Sequence, residues 1–454
     1  MVDQIDLLVI GGGPAGYAGA IRGRQLGKRV VVVEKDSLGG TCLNRGCIPT
    51  KSFLESAALY RNYARCSEHG ISVAQPQLDF TQVVETKSQV VDRLVSGLDF
   101  LLNRREIEIV EGEARFVSPT EIQVQERRFV PERVLVCTGT ASVELSGLEP
   151  DGRLVVNSDQ VLDLADLPKS LLIVGGGVIG CEFATVFSSY GVDVTIVELT
   201  DRLLPTEDAE ISRTLLREFK KRKVKVLTGA SVQRLTRESN EVHVQIQSGN
   251  RIQDLTVDRV LVSVGRRPII PQGFPGKIDK RGYISVDSTF KTSEDHIYAA
   301  GDVIGGLQLA HLAFEEGMAA CSFAFGEESK SKWHVPRCVY THPEIGAVGL
   351  TEEEAEKQYG QVQVGRYSLK GNGKAVILND NAGFCKIIAT DDGIVRGVHM
   401  IGPHATELIS GATIVLEQKM TLTDWEDVIY PHPTVSESIK ETVWSTLGRG
   451  LHSI

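Results

Sequence analysis

The stretch Leu7-Leu8-Val9-Ile10-Gly11-Gly12-Gly13-Pro14-Ala15-Gly16 decides how this chain is read. An apolar run enters a glycine-rich turn, and a helix-like stretch follows to about Leu26. A second apolar run, Arg29 to Val33, ends at Glu34. Strand, glycine turn, helix and strand in that order make a dinucleotide-binding β-α-β unit. In such a unit Gly11 permits the tight turn, Gly13 lets a pyrophosphate approach the backbone, and Gly16 lets the helix pack on the strand. The phosphates favour the helix N-terminus, where free N–H groups and the helix dipole attract an anion. Glu34 is placed to take ribose hydroxyls.

The unit occurs twice. Leu171-Leu172-Ile173-Val174 leads into Gly175-Gly176-Gly177-Val178-Ile179-Gly180, a helix-like stretch, and Val192 to Val197 ending at Glu198. Gly175 lies 164 positions after Gly11, and Glu198 lies 164 after Glu34. A lone G-x-G-x-x-G is compatible with a plain glycine turn. Two copies, each after a strand and each with an acid 21 residues past its second glycine, are not. Two dinucleotide sites point to a flavin together with a nicotinamide. Glu198 favours NAD over NADP, because a carboxylate repels the 2′-phosphate that an arginine would bind. Arg202 stands nearby and reads as a solvated loop arginine.

At 454 residues the chain is long enough for about three domains. Its 42% apolar and 24% charged residues are ordinary for a globular protein, which excludes intrinsic disorder and collagen-like repeats. A net charge of −10 argues against a nucleic-acid partner, which needs a basic surface. No apolar run reaches the ~18 residues that span a bilayer. The best candidate, Leu171 to Cys181, is broken by glycines and ends at Glu182. The acidic start, Met1-Val2-Asp3-Gln4-Ile5-Asp6, has no basic n-region of a secretory signal, so a cytoplasmic protein is expected. Eight cysteines are too sparse for a disulfide scaffold.

Two of those cysteines stand out in Gly39-Gly40-Thr41-Cys42-Leu43-Asn44-Arg45-Gly46-Cys47-Ile48-Pro49-Thr50-Lys51. On a regular helix a spacing of five gives about 7.5 Å of rise and roughly 140° of turn. A disulfide wants Cα atoms about 5.5–6 Å apart, so Gly46 and Pro49 would have to distort the helix to close the gap. On spacing alone, a disulfide and two reduced core cysteines fit equally well.

The segment resembles the redox-active disulfide of the pyridine nucleotide–disulfide oxidoreductases, a family of FAD enzymes, and the resemblance covers nearly the whole chain. The wording Cys42 to Lys51 is most similar to members that oxidise dihydrolipoamide with NAD; glutathione-reducing members have Val-Asn and Val-Pro-Lys-Lys in the corresponding places. The resemblance implies that Cys47 faces the flavin and Cys42 is the interchange thiol. It also implies that Lys51 pairs with Glu182 beside the flavin. Ile297-Tyr298-Ala299-Ala300-Gly301-Asp302 matches the family's second flavin motif, with Asp302 toward the ribitol. Val136-Cys137-Thr138-Gly139-Thr140 and Val264-Gly265-Arg266-Arg267-Pro268 resemble the two crossover segments, which bring Thr138, Gly139 and Gly265 to the cofactors. Cys137 replaces the usual alanine, and Ser142 and Ser146 stand where prolines are common, so looser loop packing is expected there.

Near the C-terminus stands His432-Pro433-Thr434-Val435-Ser436-Glu437. A dithiol–disulfide exchange needs a group that takes and gives a proton near pH 7, which suits histidine. A carboxylate on the far ring nitrogen would fix its tautomer. Thr434-x-x-Glu437 is also a capping box, and both roles coexist only if Glu437 divides its two oxygens or gives up the cap. The family's His-Pro-Thr-x-Ser-Glu assigns His432 and Glu437 as the acid–base dyad. Tyr430 occupies a place where a further histidine is frequent. Tyr340-Thr341-His342-Pro343-Glu344 fits the start of the dimerisation domain, and His342 and His311 read as positioning groups. Thr351 reads as an N-cap followed by acids. Cys66, Cys137, Cys181, Cys321, Cys338 and Cys385 show no metal-ligand spacing and read as buried small hydrophobes, so no metal is expected.

The expected fold is α/β: two Rossmann-like dinucleotide-binding domains plus a C-terminal α+β dimerisation domain. FAD would bind to residues 1–142 and 267–332, NAD to 143–266, and 333–454 would form the interface. The implied activity is oxidation of protein-bound dihydrolipoamide with NAD, in a homodimer whose active site is shared between subunits. The partner would be a lipoylated carrier, of a 2-oxo acid dehydrogenase complex or of glycine cleavage. The alternatives are a glutathione- or mercuric-reducing member of the family, or a non-catalytic flavin-binding subunit.

Overall fold

The chain is described here by a computed structural model covering residues 2–74 and 76–452. The first unit forms β1 (Val2–Ile10), α1 (Pro14–Gln25) and β2 (Val30–Glu34). Along β1, Leu7 and Val9 enter one apolar cluster while Leu8 and Ile10 enter another, so both faces of the strand are buried. This explains the unbroken apolar run, the mark of a parallel strand covered on both sides. Pro14 opens α1, where its missing N–H costs nothing.

The sheet around β1 runs Glu108–Glu111, β2, β1, Arg127–Val136, with Ile297–Ala299 beside the end of Arg127–Val136. Ile297 pairs with Val134, although some 160 residues separate them. Between them the chain builds the second unit: a five-stranded parallel sheet in the order Lys225–Leu227, Asp193–Val197, Ser170–Val174, Arg259–Val262, Val155–Asn157. Its first strand, like β1, sits at the centre with its partner after the helix on one side. The first sheet is therefore completed only after the second has been made.

The two glycine turns meet the same steric demands. Gly11 and Gly175 have φ of +102° and +110°, and a Cβ on either would lie 2.4 Å from a carbonyl oxygen, of Cys137 and of Ser263 respectively. A Cβ at Gly16 or Gly180 would lie 1.8 or 1.9 Å from the carbonyl of its own Gly11 or Gly175. Neither contact is tolerable, so only glycine lets helix and strand meet this closely.

The chain passes between the units through a two-stranded ribbon, Thr140–Ser142 against Arg266–Pro268. Loose packing was expected here, yet Cys137 is buried, Val143 N–H donates to Gly265 O at 3.0 Å, and the Ser142 and Ser158 hydroxyls meet at 3.3 Å. The ribbon supplies by pairing the order that prolines would have supplied by stiffness. Of Cys137, Ser142 and Ser146, only Ser146 is exposed.

Residues from Arg337 onward form an antiparallel five-stranded sheet in the order Arg337–Val339, Ile345–Gly349, Val395–Ile401, Phe384–Ala389, Gln363–Ser368. The helices Ala405–Glu417 and Glu437–Thr446 cover it through Ile409, Ala412, Ile439 and Val443. No described helix is long and apolar enough to cross a membrane.

Candidate active site

Both glycine turns and both cysteines open on one cavity of about 1180 Å³. At Gly177 a Cβ would meet nothing within 4 Å, and at Gly13 only the Gly40 Cα at 3.8 Å. The N-termini of α1 and of Val178–Ser189 are thus open where a pyrophosphate would lie. The acids after each unit have a second task. Glu34 accepts from Gly12 N–H at 2.7 Å and Asp36 N–H at 2.9 Å. Glu198 accepts from Gly176 N–H at 2.6 Å and from the N–H and hydroxyl of Thr200, both at 2.7 Å. Each carboxylate ties its own glycine turn while facing the cavity. Arg202 is a part-exposed loop arginine whose guanidinium bonds the exposed Glu353 at 3.2 and 3.4 Å, which takes up the cation closest in sequence to Glu198. Both cradles fit dinucleotides.

Cys42 lies on α2 (Gly40–Arg45) and Cys47 opens α3 (Cys47–Ala64). The helix is not distorted, as the spacing suggested, but broken. Gly46 adopts φ −134° and ψ −108° between the two helices, and a Cβ there would come 2.9 Å from Thr41 O. Pro49 sits in the first turn of α3, where no helical N–H is lost. Both cysteines are half-buried free thiols. A hydrogen bond from Cys42 draws the Cys47 thiol down to about 7, against burial and with help from the Lys51 ammonium. The same bond, together with burial, pushes Cys42 well above the usual thiol range. Replacing Cys42 with alanine removes the donor that stabilises the Cys47 thiolate, so the thiolate midpoint should rise from about 7 toward the ordinary thiol value. Mass-spectrometric alkylation of Cys47 against pH measures this; a midpoint that stays or falls would contradict the bond.

Lys51 Nζ meets both oxygens of Glu182 at 3.0 and 2.9 Å, and Glu182 is buried. Tyr340 completes this pair: its N–H donates to Glu182 Oε1 at 3.0 Å and its ring lies 4.5 Å below Lys51 Nζ. Asp302 accepts from the Thr140 hydroxyl at 2.9 Å, and Arg266 Nε donates to that hydroxyl at 2.8 Å. Burial raises the Asp302 carboxyl, with Thr140 and Arg266 opposing. Glu316 accepts from Gly301 N–H at 2.9 Å and is pushed up to about 7 by burial. Thr138, Gly139 and Gly265 line the same cavity. Sequence reasoning quoted Thr140 and Arg266 but gave them no part, and it missed Tyr340 and Glu316 as site residues. The only early signal was the presence of the first two in the crossover segments.

His432 Nδ1 lies 2.9 Å from Glu437 Oε1, and Thr434 N–H donates to Glu437 Oε2 at 2.8 Å. Glu437 divides its oxygens. The capping box is only half made, because the Thr434 hydroxyl turns to Pro431 O and to Ser436, and the helix begins at Glu437. Tyr430 accepts from the Trp425 indole at 2.8 Å and anchors the segment before His432. The His432 side chain is 78% exposed and lies outside the cavity that holds the cysteines. The six site residues therefore fall in two places on one chain: Cys42, Cys47, Lys51 and Glu182 line the cavity, whereas His432 and Glu437 lie outside it. His311 bonds Pro336 O at 2.8 Å, and His342 lies 3.6 Å from Asp380, positioning contacts in both cases. Cys137, Cys181, Cys321 and Cys385 are buried as expected, but Cys66 and Cys338 are only half-buried, and Cys338 lines the cavity. Its thiol donates to Thr406 O at 3.7 Å, and burial holds it up at about 11.

Comparison with known proteins agrees with this geometry. Residues 5–317 match the family model for pyridine nucleotide-disulphide oxidoreductases, and residues 335–443 match the dimerisation domain of the same family. The chain is 39% identical to a dihydrolipoyl dehydrogenase of Bacillus subtilis and 34% to one of Zymomonas mobilis, each over the full length of both chains. Among solved structures it is similar to LpdA from Mycobacterium tuberculosis (27% identity, TM-score 0.90, 97% of this chain and 99% of that one). It is also similar to the HOCl-induced flavoprotein disulfide reductase RclA from Escherichia coli (29% identity, TM-score 0.86, 96% and 99%). Enzymes of this kind use FAD and NAD. With two dinucleotide cradles, a cysteine pair between them and a full-length match, the chain belongs to the pyridine nucleotide-disulphide oxidoreductases.

Proposed function

We propose that this enzyme oxidises protein-bound dihydrolipoamide to lipoamide with NAD as acceptor. The observation that carries the reading is the cysteine pair: Cys47, drawn toward the thiolate, opens on the cavity that both glycine turns share. The substrate is suggested by the names of the relatives and by the wording Cys42 to Lys51. Gly11, Gly13, Gly16, Glu34, Thr138, Gly139 and Asp302 would hold FAD; Gly175, Gly177, Gly180, Glu198 and Gly265 would hold NAD. Bound FAD and NAD supply the two-electron acceptor chemistry that returns the cysteines to a disulfide. In the exchange itself, a substrate thiolate attacks the Cys42 sulfur and Cys47 leaves as a thiolate. His432, oriented by Glu437, takes the proton of the second substrate thiol. That sulfur then closes the lipoyl disulfide and releases Cys42.

The domain division that goes with this reading is 1–142 and 267–332 for FAD, 143–266 for NAD and 333–454 for the interface. A homodimer is supported by exposed apolar side chains within the matched dimerisation domain: Val376, Ile377, Ile414, Val428 and Ile429, the last 92% exposed. In such a dimer, as the family resemblance implies, His432 of one copy would serve the cysteines of the other. The lipoylated carrier belongs to the same reading, as does a cytoplasmic location.

A side-by-side assay of NADH and NADPH against lipoamide, oxidised glutathione and mercuric ion tests the proposal. Turnover is expected with NADH and lipoamide. Turnover confined to NADPH and glutathione would overturn both the cofactor and the substrate.

A further inference from the structure

The segment after Glu198 differs from its counterpart after Glu34. In the first unit that stretch leads to the cysteines; in the second it carries Glu207, Asp208 and Glu210. Its early part grips the second glycine turn. Leu204 N–H donates to Gly176 O at 2.9 Å, and Leu203 packs where a Gly176 Cβ would lie only 2.6 Å away. Thr206 and Glu207 line the cavity. Its later part is gripped by the C-terminal sheet. Arg337 meets Glu207 at 2.9 and 3.2 Å, and Arg366 meets Glu210 at 2.7 Å.

At the centre of that grip is Lys386, whose side chain is 2% exposed. Its ammonium reaches Asp208 at 2.8 Å, Glu210 at 3.2 Å and Glu352 at 2.5 Å. Asp208 also caps the helix Ala209–Lys221 through Glu210 N–H at 2.9 Å. A charge this deep is held only where partners compensate its desolvation, and removing it would leave a cluster of carboxylates without their central cation. A fully buried lysine is a costly way to join two sheets if joining were all that mattered.

We propose that Lys386 is a positioning residue for the pyridine nucleotide. By fixing residues 198–210 to the interface domain it sets the wall of the second cradle, so nucleotide affinity depends on a residue remote from the nucleotide. The proposal rests on the reading of the second glycine turn as the NAD site.

The test uses the full-length, FAD-loaded enzyme, so that the first cradle is filled, with adenosine diphosphoribose as a calorimetric probe of the second. Lys386→Met should weaken its binding and raise the KM for NAD by about tenfold, with the KM for dihydrolipoamide changed less than about twofold. Asp208→Asn keeps the helix cap and removes one charge facing Lys386; it should weaken the probe about threefold and decides the matter if Lys386→Met does not fold. A lower Tm with probe affinity within about twofold of the parent would show a merely structural lysine and overturn the proposal. Failure of the parent enzyme itself to bind the probe would instead overturn the assignment of the cradle, and the proposal with it.

Discussion

Cys47→Ser should abolish lipoamide turnover, by on the order of 10³-fold or more, while the enzyme keeps its FAD. The argument begins with the leaving group. When a substrate thiolate attacks Cys42, the sulfur of residue 47 must depart with the electron pair, and the geometry prepares it to do so. Lys51 lies close enough to favour its charged form as it leaves; once both sulfurs are thiols again, a hydrogen bond from Cys42 adds to Lys51 and brings Cys47 to about 7. A serine hydroxyl at this position forms no disulfide and has no accessible anion near neutral pH. The fold should not suffer. Residue 47 opens α3 and is half-buried, a place where serine is well accommodated. The flavin spectrum and Tm then report an intact enzyme, and the lipoamide assay reports the missing sulfur. Cys338→Ser is the control, since Cys338 lines the same cavity but is held at about 11, far from a thiolate. It should keep activity within about threefold of the parent. Substantial lipoamide turnover in Cys47→Ser would remove the cysteine pair from the chemistry.

What the sequence disclosed, it disclosed where backbone geometry restricts residue choice. Gly11, Gly16, Gly175 and Gly180 admit no side chain at all, so the repeat is written into their spacing and legible without any structure. The same holds for the strand runs, which are apolar throughout because both faces are covered. What stayed hidden depends on contacts between distant residues. Nothing in the wording around Tyr340 tells that its N–H will meet Glu182, 158 positions earlier. Lys386 reads as an ordinary strand lysine until Asp208 and Glu352 are brought to it. At Gly46 a glycine was noticed, but a bent helix and a broken one predict the same residue. The dyad lies between these cases. Its residues were legible as a motif, and the competition for Glu437 could be stated, but which oxygen served which partner required coordinates.

The second large effect concerns that dyad and the distance between it and the cysteines. His432→Gln should lower turnover by about 10²- to 10⁴-fold, the usual worth of a positioned proton acceptor. Glu437→Gln should also be costly, because an amide has one oxygen for the two donors that the carboxylate now serves separately. Yet His432 is exposed and outside the cavity of its own chain. If a second copy supplies it, inactive variants should rescue one another. In a dimer of one Cys47→Ser chain and one His432→Gln chain, the second chain offers an intact cysteine pair and the first an intact histidine. Such a heterodimer has one working site and one doubly damaged site, hence about half the parent activity. Random reassembly of an equal mixture should recover about a quarter, since about half of the dimers are mixed. A site built within a single chain predicts no recovery at any mixing ratio. Activity that rises from near zero on reassembly would therefore establish both the dimer and the sharing of its sites, whereas a mixture that stays inactive while forming heterodimers would confine the chemistry to one chain.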